Sequence, residues 1–228
     1  MKRALKWLAI ALGGLLGLLA LLIVLAITGV IGPPTASPEA IASSVERDEA
    51  LLERAFALPV ASEYGRELYW QSNGSTCGPA SVVNALRSLG HEVGGEDDVL
   101  EGTGMCRSGM CFMGLTLDEL AEVARSGGKG KVSVMRDLSP DAFREALRSS
   151  NDPSRRVIIN FSRKPIFGAG GGHHSPIGGY LEDEDLVLVL DVNETYQPWL
   201  IERERLFEAM DTLDGEQKRG LLLIEAAP

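Results

Sequence analysis

Cysteine, histidine and positive charge are all scarce in this chain of 228 residues. Three cysteines are too few for a disulfide scaffold and too few for a four-thiolate zinc site. Among the 22 basic residues, Lys2, Arg3 and Lys6 sit at the start, and no other charge precedes Glu39. The remainder sets 19 basic residues against all 32 acidic ones, a formal charge of −13. A body that acidic offers no electrostatic footprint for nucleic acid. With 45% apolar and 24% charged residues the composition is that of a folded domain, which excludes global disorder.

Charge is missing altogether from Trp7 to Gly32, 26 residues rich in Leu, Ala, Ile and Gly. As a helix this run reaches roughly 39 Å, enough to cross a ~30 Å hydrocarbon core with some tilt. Lys2, Arg3 and Lys6 keep their end on the cytoplasmic face, so an uncleaved anchor carries the body to the extracytoplasmic, periplasmic side. A cleaved signal peptide is the alternative, with small residues at Thr35-Ala36-Ser37 and a secreted body, although the apolar run of such a peptide spans about 7–15 residues. Gly13 and Gly17 have the GxxxG spacing at which two spans approach closely, a hint of a dimer that leaves the oligomeric state open. Pro33 to Pro38 is a linker. Ser37 is placed to cap a helix, with Pro38 at its first position, running to about Leu58. The chain thus divides into an anchor or signal at 1–32, a linker and helix at 33–66, and a main domain at 67–228.

The main domain mixes both element types. Glu67–Gln71 predicts a short strand before the polar turn Ser72–Thr76. A helix follows from Cys77 to a glycine stop at Gly90. Thr116 opens another helix, with Glu119 in capping-box position. Lys131–Met135, Arg156–Phe161, Ser175–Tyr180, Leu186–Asp191 and Gly220–Ile224 read as strands, and Ser139–Asn151 and Glu202–Met210 as helices. Helices come early and strands late, which points to α+β with an antiparallel sheet.

One constellation carries chemistry. Cys77 stands where a polar turn becomes a helix, and unpaired N–H groups with a positive dipole end favour thiolate there. The same N–H groups face a developing oxyanion, and Gln71, six residues upstream, supplies a side-chain donor. A buried, inert cysteine starting a core helix has the same sequence. The glycine run Gly168–Gly172 is no phosphate cradle, because strand follows it instead of helix. It reads as a flexible approach that lets a substrate backbone come close to His173. His173 and His174 alternate faces on a strand, so one points into a cleft and the other to solvent or a structural role. Asp191 ends a strongly apolar strand, where a carboxylate is costly unless paired; orienting an imidazole on the neighbouring strand explains it. A paired His–His could also bind metal, though no third ligand lies at motif spacing.

The order Cys77, His173, Asp191, preceded by Gln71, is that of papain-like thiol enzymes. His173-x-Ser175-Pro176-Ile177-Gly178-Gly179-Tyr180, then Leu188-x-Leu190-Asp191-Val192 and Glu208-Ala209-Met210-Asp211, resembles the phytochelatin synthases, in their short prokaryotic form. The resemblance covers roughly Tyr69 to Ile224. It implies a papain-like fold and cleavage of the γ-Glu-Cys–Gly bond of glutathione through a thioester on Cys77. It makes Gln71 the oxyanion donor, His173 the general base and acid, and Asp191 its orienting partner. His174 falls where the family usually has an aromatic residue. The resemblance further implies acyl transfer to glutathione or to water, with no covalent cofactor and with cadmium or zinc arriving as a metal–glutathione thiolate.

The chain departs from that pattern in two places. No Cys follows Asp191, whereas plant members carry a Cys-rich extension. The family's basic stretch after the Asp, implicated in holding the acceptor, is replaced by Asn193–Trp199, which puts transpeptidation in doubt. An anionic tripeptide still needs a local cation; Arg163, at an Arg position of the family, and its neighbour Lys164 are the substrate-binding candidates. Cys106 and Cys111 form a C-x4-C pair, read as a disulfide in an exported domain, with soft-metal binding as the alternative. Two rival functions remain: an exported cysteine peptidase of the leader-peptide type, and a non-catalytic metal- or thiol-binding module.

Overall fold

The computed structural model describes residues 2–27, 35–106, 109–111, 114–128 and 130–226. The chain forms two compact units, Met1–Pro34 and Thr35–Pro228. The first contains α1 (Lys2–Ile27). Its stretch Leu5–Leu25 has a mean hydropathy of 2.9 and is long and apolar enough to cross a membrane, as an anchor or a signal sequence would be. Residues 28–34, the end of the expected span and the first prolines of the linker, lie outside the described residues.

The second unit runs α2 (Pro38–Ser44), α3 (Glu49–Phe56), α4 (Pro59–Tyr64), α5 (Cys77–Ser88), α6 (Glu96–Leu100), α7 (Leu117–Gly127), β1 (Lys131–Met135), α8 (Pro140–Ser149) and β2 (Arg155–Ser162). It continues with α9 (Arg163–Phe167), β3 (Gly172–Leu181), β4 (Leu186–Val189), β5 (Trp199–Glu202), α10 (Arg203–Met210), β6 (Leu213–Asp214), β7 (Gln217–Lys218) and β8 (Leu221–Glu225). Six strands form one sheet in the order β1-β8-β2-β3-β4-β5, antiparallel at every pairing.

Strand β2 is buried on both faces, and its alternation divides the interior. Val157, Ile159 and Phe161 join Phe143, Leu147, Trp199 and Leu206 under α8 and α10, while Ile158 joins Val83, Leu86, Leu120 and Val123 under α5 and α7. Helices thus cover both faces of the sheet. The mixed helix-and-antiparallel-sheet class expected from the sequence is the one observed.

The amino-terminal segment is neither linker nor single helix. Ser37 does cap α2, accepting from Ala40 N–H at 3.2 Å. The chain then leaves the helix because Glu46 exchanges both backbone bonds with Leu200, at 2.8 and 3.0 Å, and so covers part of edge strand β5. Asp48 starts α3 by accepting from Leu51 N–H, and Pro59 starts α4 at a position that needs no N–H. Ala55, Val60, Ala61 and Tyr64 pack with Leu181, Leu188, Leu190 and Leu200. Residues 38–64 therefore belong to the same unit as the sheet.

Candidate active site

Residues 67–71 form no strand; a side chain ties them down. Asn84 of α5 accepts from Tyr69 N–H at 2.9 Å and donates to the Tyr69 carbonyl at 2.9 Å. Two residues on, Gln71 N–H donates to the Val192 carbonyl at 2.9 Å. Gln71 is thereby fixed between the start of α5 and the residue after Asp191. Its Nε2 donates to the Asn73 carbonyl at 2.7 Å, which leaves one amide N–H uncommitted.

Cys77 is the first residue of α5 and is buried against Ala80, Val192 and Tyr69. Thr76 contributes no side-chain cap, and Pro79 has no N–H. The N–H groups of Cys77 and Gly78, without intrahelical acceptors, mark the positive end of α5. A buried free thiol, two backbone donors and the Gln71 amide therefore share one corner of the fold.

Opposite this corner, strand β3 brings up the histidines. His173 pairs in register with Phe161, whose ring meets the imidazole edge-on at 5.6 Å. Its Nε2 lies 3.0 Å from Asp191 Oδ1. Asp191 is fully buried and satisfied on every side: it accepts from Arg163 Nη2 at 2.8 Å, Trp199 Nε1 at 3.2 Å and Asn193 N–H at 3.0 Å. The departure of 193–199 from the family's basic pattern has a use here, since Trp199 holds Asp191 and the Tyr196 ring lies 3.5 Å under the Arg163 guanidinium.

The electrostatics follow from these contacts. Burial acts to raise the Cys77 thiol. The charge of His173 and hydrogen bonds from His173 and His174 outweigh it, so the thiol ionises well below its ordinary range. Burial and the Arg163 charge act to lower His173, but Asp191 and the Cys77 thiolate raise it further, and the net shift is upward. Asp191 is opposed by its own burial and held far below the carboxylate range by Arg163 and His173. The combination favours a thiolate–imidazolium pair backed by a carboxylate that stays ionised.

The structure brings Cys77, His173, Asp191 and Gln71 into one region of the fold. Arg163 has a different place from the one expected of a substrate-binding cation: its side chain is buried and paired with Asp191, because a carboxylate removed from water needs a compensating charge. Lys164 is exposed on α9 and takes no part in that pair. Cys106 and Cys111 are joined in a disulfide. No group of three or more metal-ligating His, Cys, Asp or Glu side chains gathers among the described residues. His174, expected to face solvent or serve the structure, is buried with Nδ1 4.0 Å from Cys77 Sγ.

Sequence reasoning missed Arg219, Asp214 and Asn160. Arg219 Nη1 donates to Asn160 Oδ1 at 2.7 Å, its Nη2 pairs with Asp214 at 3.2 Å, and its Nε is buried without a partner. Burial lowers this guanidinium, while Asp214 and the Cys77 thiolate act to raise it, so the sulfur and Arg219 feel each other's charge. The overlooked signal lay in the glycine run. A Cβ on Gly172 would fall 2.4 Å from Arg219 Nη1, so glycine there lets a guanidinium lie beside His173.

Comparison with known proteins agrees with this arrangement. Among solved structures, a putative C39-like peptidase from Bacillus anthracis superposes with a TM-score of 0.53 at 14% identity, covering 72% of this chain and 96% of that one. The peptidase domain of Streptococcus ComA, a bifunctional ABC transporter, gives 0.50 at 15% identity, covering 71% and 99%. Both share the papain-like fold. Two curated relatives are named glutathione gamma-glutamylcysteinyltransferases. One, from Schizosaccharomyces pombe, is 32% identical over 49% of this chain and 28% of its own length. The other, from Arabidopsis thaliana, is 30% identical over 68% of this chain and 37% of its own. The alignments thus span only 28% and 37% of these relatives' own lengths. The profile of the phytochelatin synthase family matches residues 34–221, nearly the whole of the second unit, and the chain belongs to that family.

Proposed function

We propose that the protein cleaves the γ-Glu-Cys–Gly bond of glutathione by covalent catalysis at Cys77. The observation that carries this reading is the hydrogen-bonded His173–Asp191 pair beside a thiol ionised below its ordinary range, within a chain of this family. Cys77 thiolate attacks the cysteinyl–glycine carbonyl. The oxyanion takes donors from the Cys77 N–H and the Gln71 amide. His173 imidazolium gives its proton to the departing glycine nitrogen, leaving a γ-glutamylcysteinyl thioester. Water, or the amine of a second glutathione, activated by the neutral imidazole, then attacks the thioester and restores the thiolate. Arg219 and Asp214 offer opposite charges to the free α-carboxylate and α-ammonium of the glutamyl end, and the orphaned Arg219 Nε favours that use. Cadmium or zinc belongs to the substrate, entering as the glutathione thiolate.

The catalytic unit belongs on the extracytoplasmic side of a membrane, tethered by α1. The basic tip of α1 and the Cys106–Cys111 disulfide support this, since such bonds persist in oxidising compartments.

The test uses the full chain in detergent with glutathione, with and without cadmium, and products identified by mass. Glycine release is expected, accompanied by γ-glutamylcysteine if water is the acceptor and by its oligomers if glutathione is. Cys77→Ala should abolish release; undiminished release would overturn the reading.

A further inference from the structure

His174 is the buried imidazole that the reaction above leaves idle. It is 3% exposed, its Nδ1 lies 4.0 Å from Cys77 Sγ, and its Nε2 has no hydrogen-bond partner. We propose that His174 is a second imidazole on the nucleophile, donating from Nδ1 to the Cys77 sulfur so that the thiolate is held between His173 and His174. The inference rests on Cys77 being the nucleophile but not on glutathione being the substrate.

Local packing fixes the ring in that position. Ser81 of α5 donates to the His174 carbonyl at 3.1 Å, which ties β3 to the first turn after Cys77. A Cβ on Gly78 would lie 3.7 Å from His174 Nδ1, ordinary contact distance, so the first turn of α5 sits directly against the imidazole. With Nε2 buried and unpartnered, the neutral ring that carries its proton on Nδ1 is favoured. That tautomer satisfies the N–H on sulfur and leaves only a lone pair unmet, whereas the other would bury an unpaired N–H.

His174 is not a duplicate of His173. No carboxylate orients it; Asp191 is bonded to His173 Nε2. The charged and titratable groups around it are Cys77 on α5, His173 beside it on β3, and Arg219, which bonds Asn160 directly opposite on β2. On α7, Leu120 faces the site, while Asp118 and Glu119 are exposed and engaged by Arg136 and the Thr116 cap. His173 thus moves the proton, and His174 steadies the sulfur as a hydrogen-bond donor. The same donor assists the thiolate as leaving group when the thioester breaks down.

The experiment measures iodoacetamide alkylation of the full chain in detergent as a function of pH. With Cys106 and Cys111 bonded to each other, Cys77 is the one free thiol, so no substrate is required. His174→Phe is expected to move the half-point of the profile up by about one pH unit, which lowers the rate about tenfold on its acid side. His174→Gln, which keeps an N–H donor, recovers part of that loss. A His174→Phe profile superimposable on the parent overturns the proposal. Should that variant fail to fold, the ¹⁵N resonances of His174 in the parent protein decide: a protonated Nδ1 supports it, and an unprotonated Nδ1 overturns it. Glycine release absent from an enzyme whose alkylation behaves as expected would remove the glutathione reading alone.

Discussion

Two arginine–aspartate pairs stand on either side of His173, and they differ in how completely they are closed. In Arg163–Asp191 the side chains are 7% and 0% exposed, and both carboxylate oxygens are satisfied. In Arg219–Asp214 they are 10% and 28% exposed, and the arginine keeps an unpartnered Nε. Both arginines depend on the glycine run: a Cβ on Gly170 would lie 2.7 Å from Arg163 Cβ, and one on Gly172 would lie 2.4 Å from Arg219 Nη1. Arg163 also keeps one buried, unpartnered nitrogen, Nη1, but its pair is sealed from solvent and so acts as a fixed charge behind the imidazole. The half-open pair can exchange part of its bonding for a substrate's charges. The same chemistry thus supports two tasks, and burial decides which.

Breaking the closed pair should have the largest effect. Asp191→Asn removes the charge that orients His173 and leaves the Arg163 guanidinium buried without a counter-ion. Turnover is expected to fall by about 10³-fold or more, by analogy with other triads that lose this carboxylate. Stability should fall as well, by about 3 kcal/mol, the scale for a broken buried pair. Steady-state kinetics and thermal unfolding read the two separately. Turnover within tenfold of the parent would mean that Asp191 does not orient the imidazole.

The half-open pair should fail in a different parameter. Arg219→Met removes a charge-assisted contact worth about 1.5–3 kcal/mol to a bound carboxylate. We expect KM for glutathione to rise roughly 10- to 100-fold with kcat little changed, and Arg219→Lys to recover only part. A drop in kcat at unchanged KM would instead make Arg219 part of the chemical step.

The pH profile separates the pairs once more. The productive form has Cys77 ionised and His173 protonated. Activity should therefore rise as pH climbs through the lowered Cys77 value and fall as it passes the raised His173 value. Asp191 is one of the groups that raise His173, so Asp191→Asn should draw the alkaline limb to lower pH. Arg219 is not among the charges that set His173, and Arg219→Met should leave that limb in place. Histidine titration by NMR follows His173 even in variants with little turnover.

How much of this was legible in the sequence depended on whether a residue's role was local. Cys77 at a turn-to-helix junction, the Ser37 and Thr116 caps and a strand expected over Leu186–Asp191 and observed over Leu186–Val189 all announce themselves within a few residues. Cys77, His173 and Asp191 were found because their order and flanking residues carry a family pattern. Arg219 follows His173 by 46 residues and meets it only because β8 lies beside β2, a pairing that no short window contains. The split of residues 38–64 was hidden for the same reason, since it is the bond to Leu200 in β5 that pulls Glu46 out of the helix. Arg163 is legible as a cation near the site, while its pairing with Asp191 is not. A buried carboxylate predicts a partner, and the sequence offered His173 without showing that Asp191 also takes a cation. His174 illustrates the limit of alternation: neighbours on a strand do face opposite ways, but on a strand buried on both faces neither way leads to solvent.

The smallest effect should come from the disulfide. Cys106–Cys111 closes a loop of sequence separation 5 that touches the turn before Cys77, where Asn73 Nδ2 donates to the Gly109 carbonyl at 2.9 Å and Cys111 N–H to Ser75 Oγ at 3.1 Å. Loop-closure entropy for so short a ring amounts to about 2 kcal/mol. The double variant Cys106→Ser with Cys111→Ser should lower the melting temperature by about 4–8 °C and reduce turnover severalfold through a looser turn. Among the described residues neither aspartate–arginine pair touches this loop, so KM and the alkaline limb should both stay where they are. If the alkaline limb moves with the disulfide gone, the loop reaches His173 and the closed pair is not its only control. If turnover is untouched, the turn before Cys77 is held by Asn84, Glu96 and Val192 alone, through bonds to Tyr69, Ser72 and Gln71 that survive the loss of the staple.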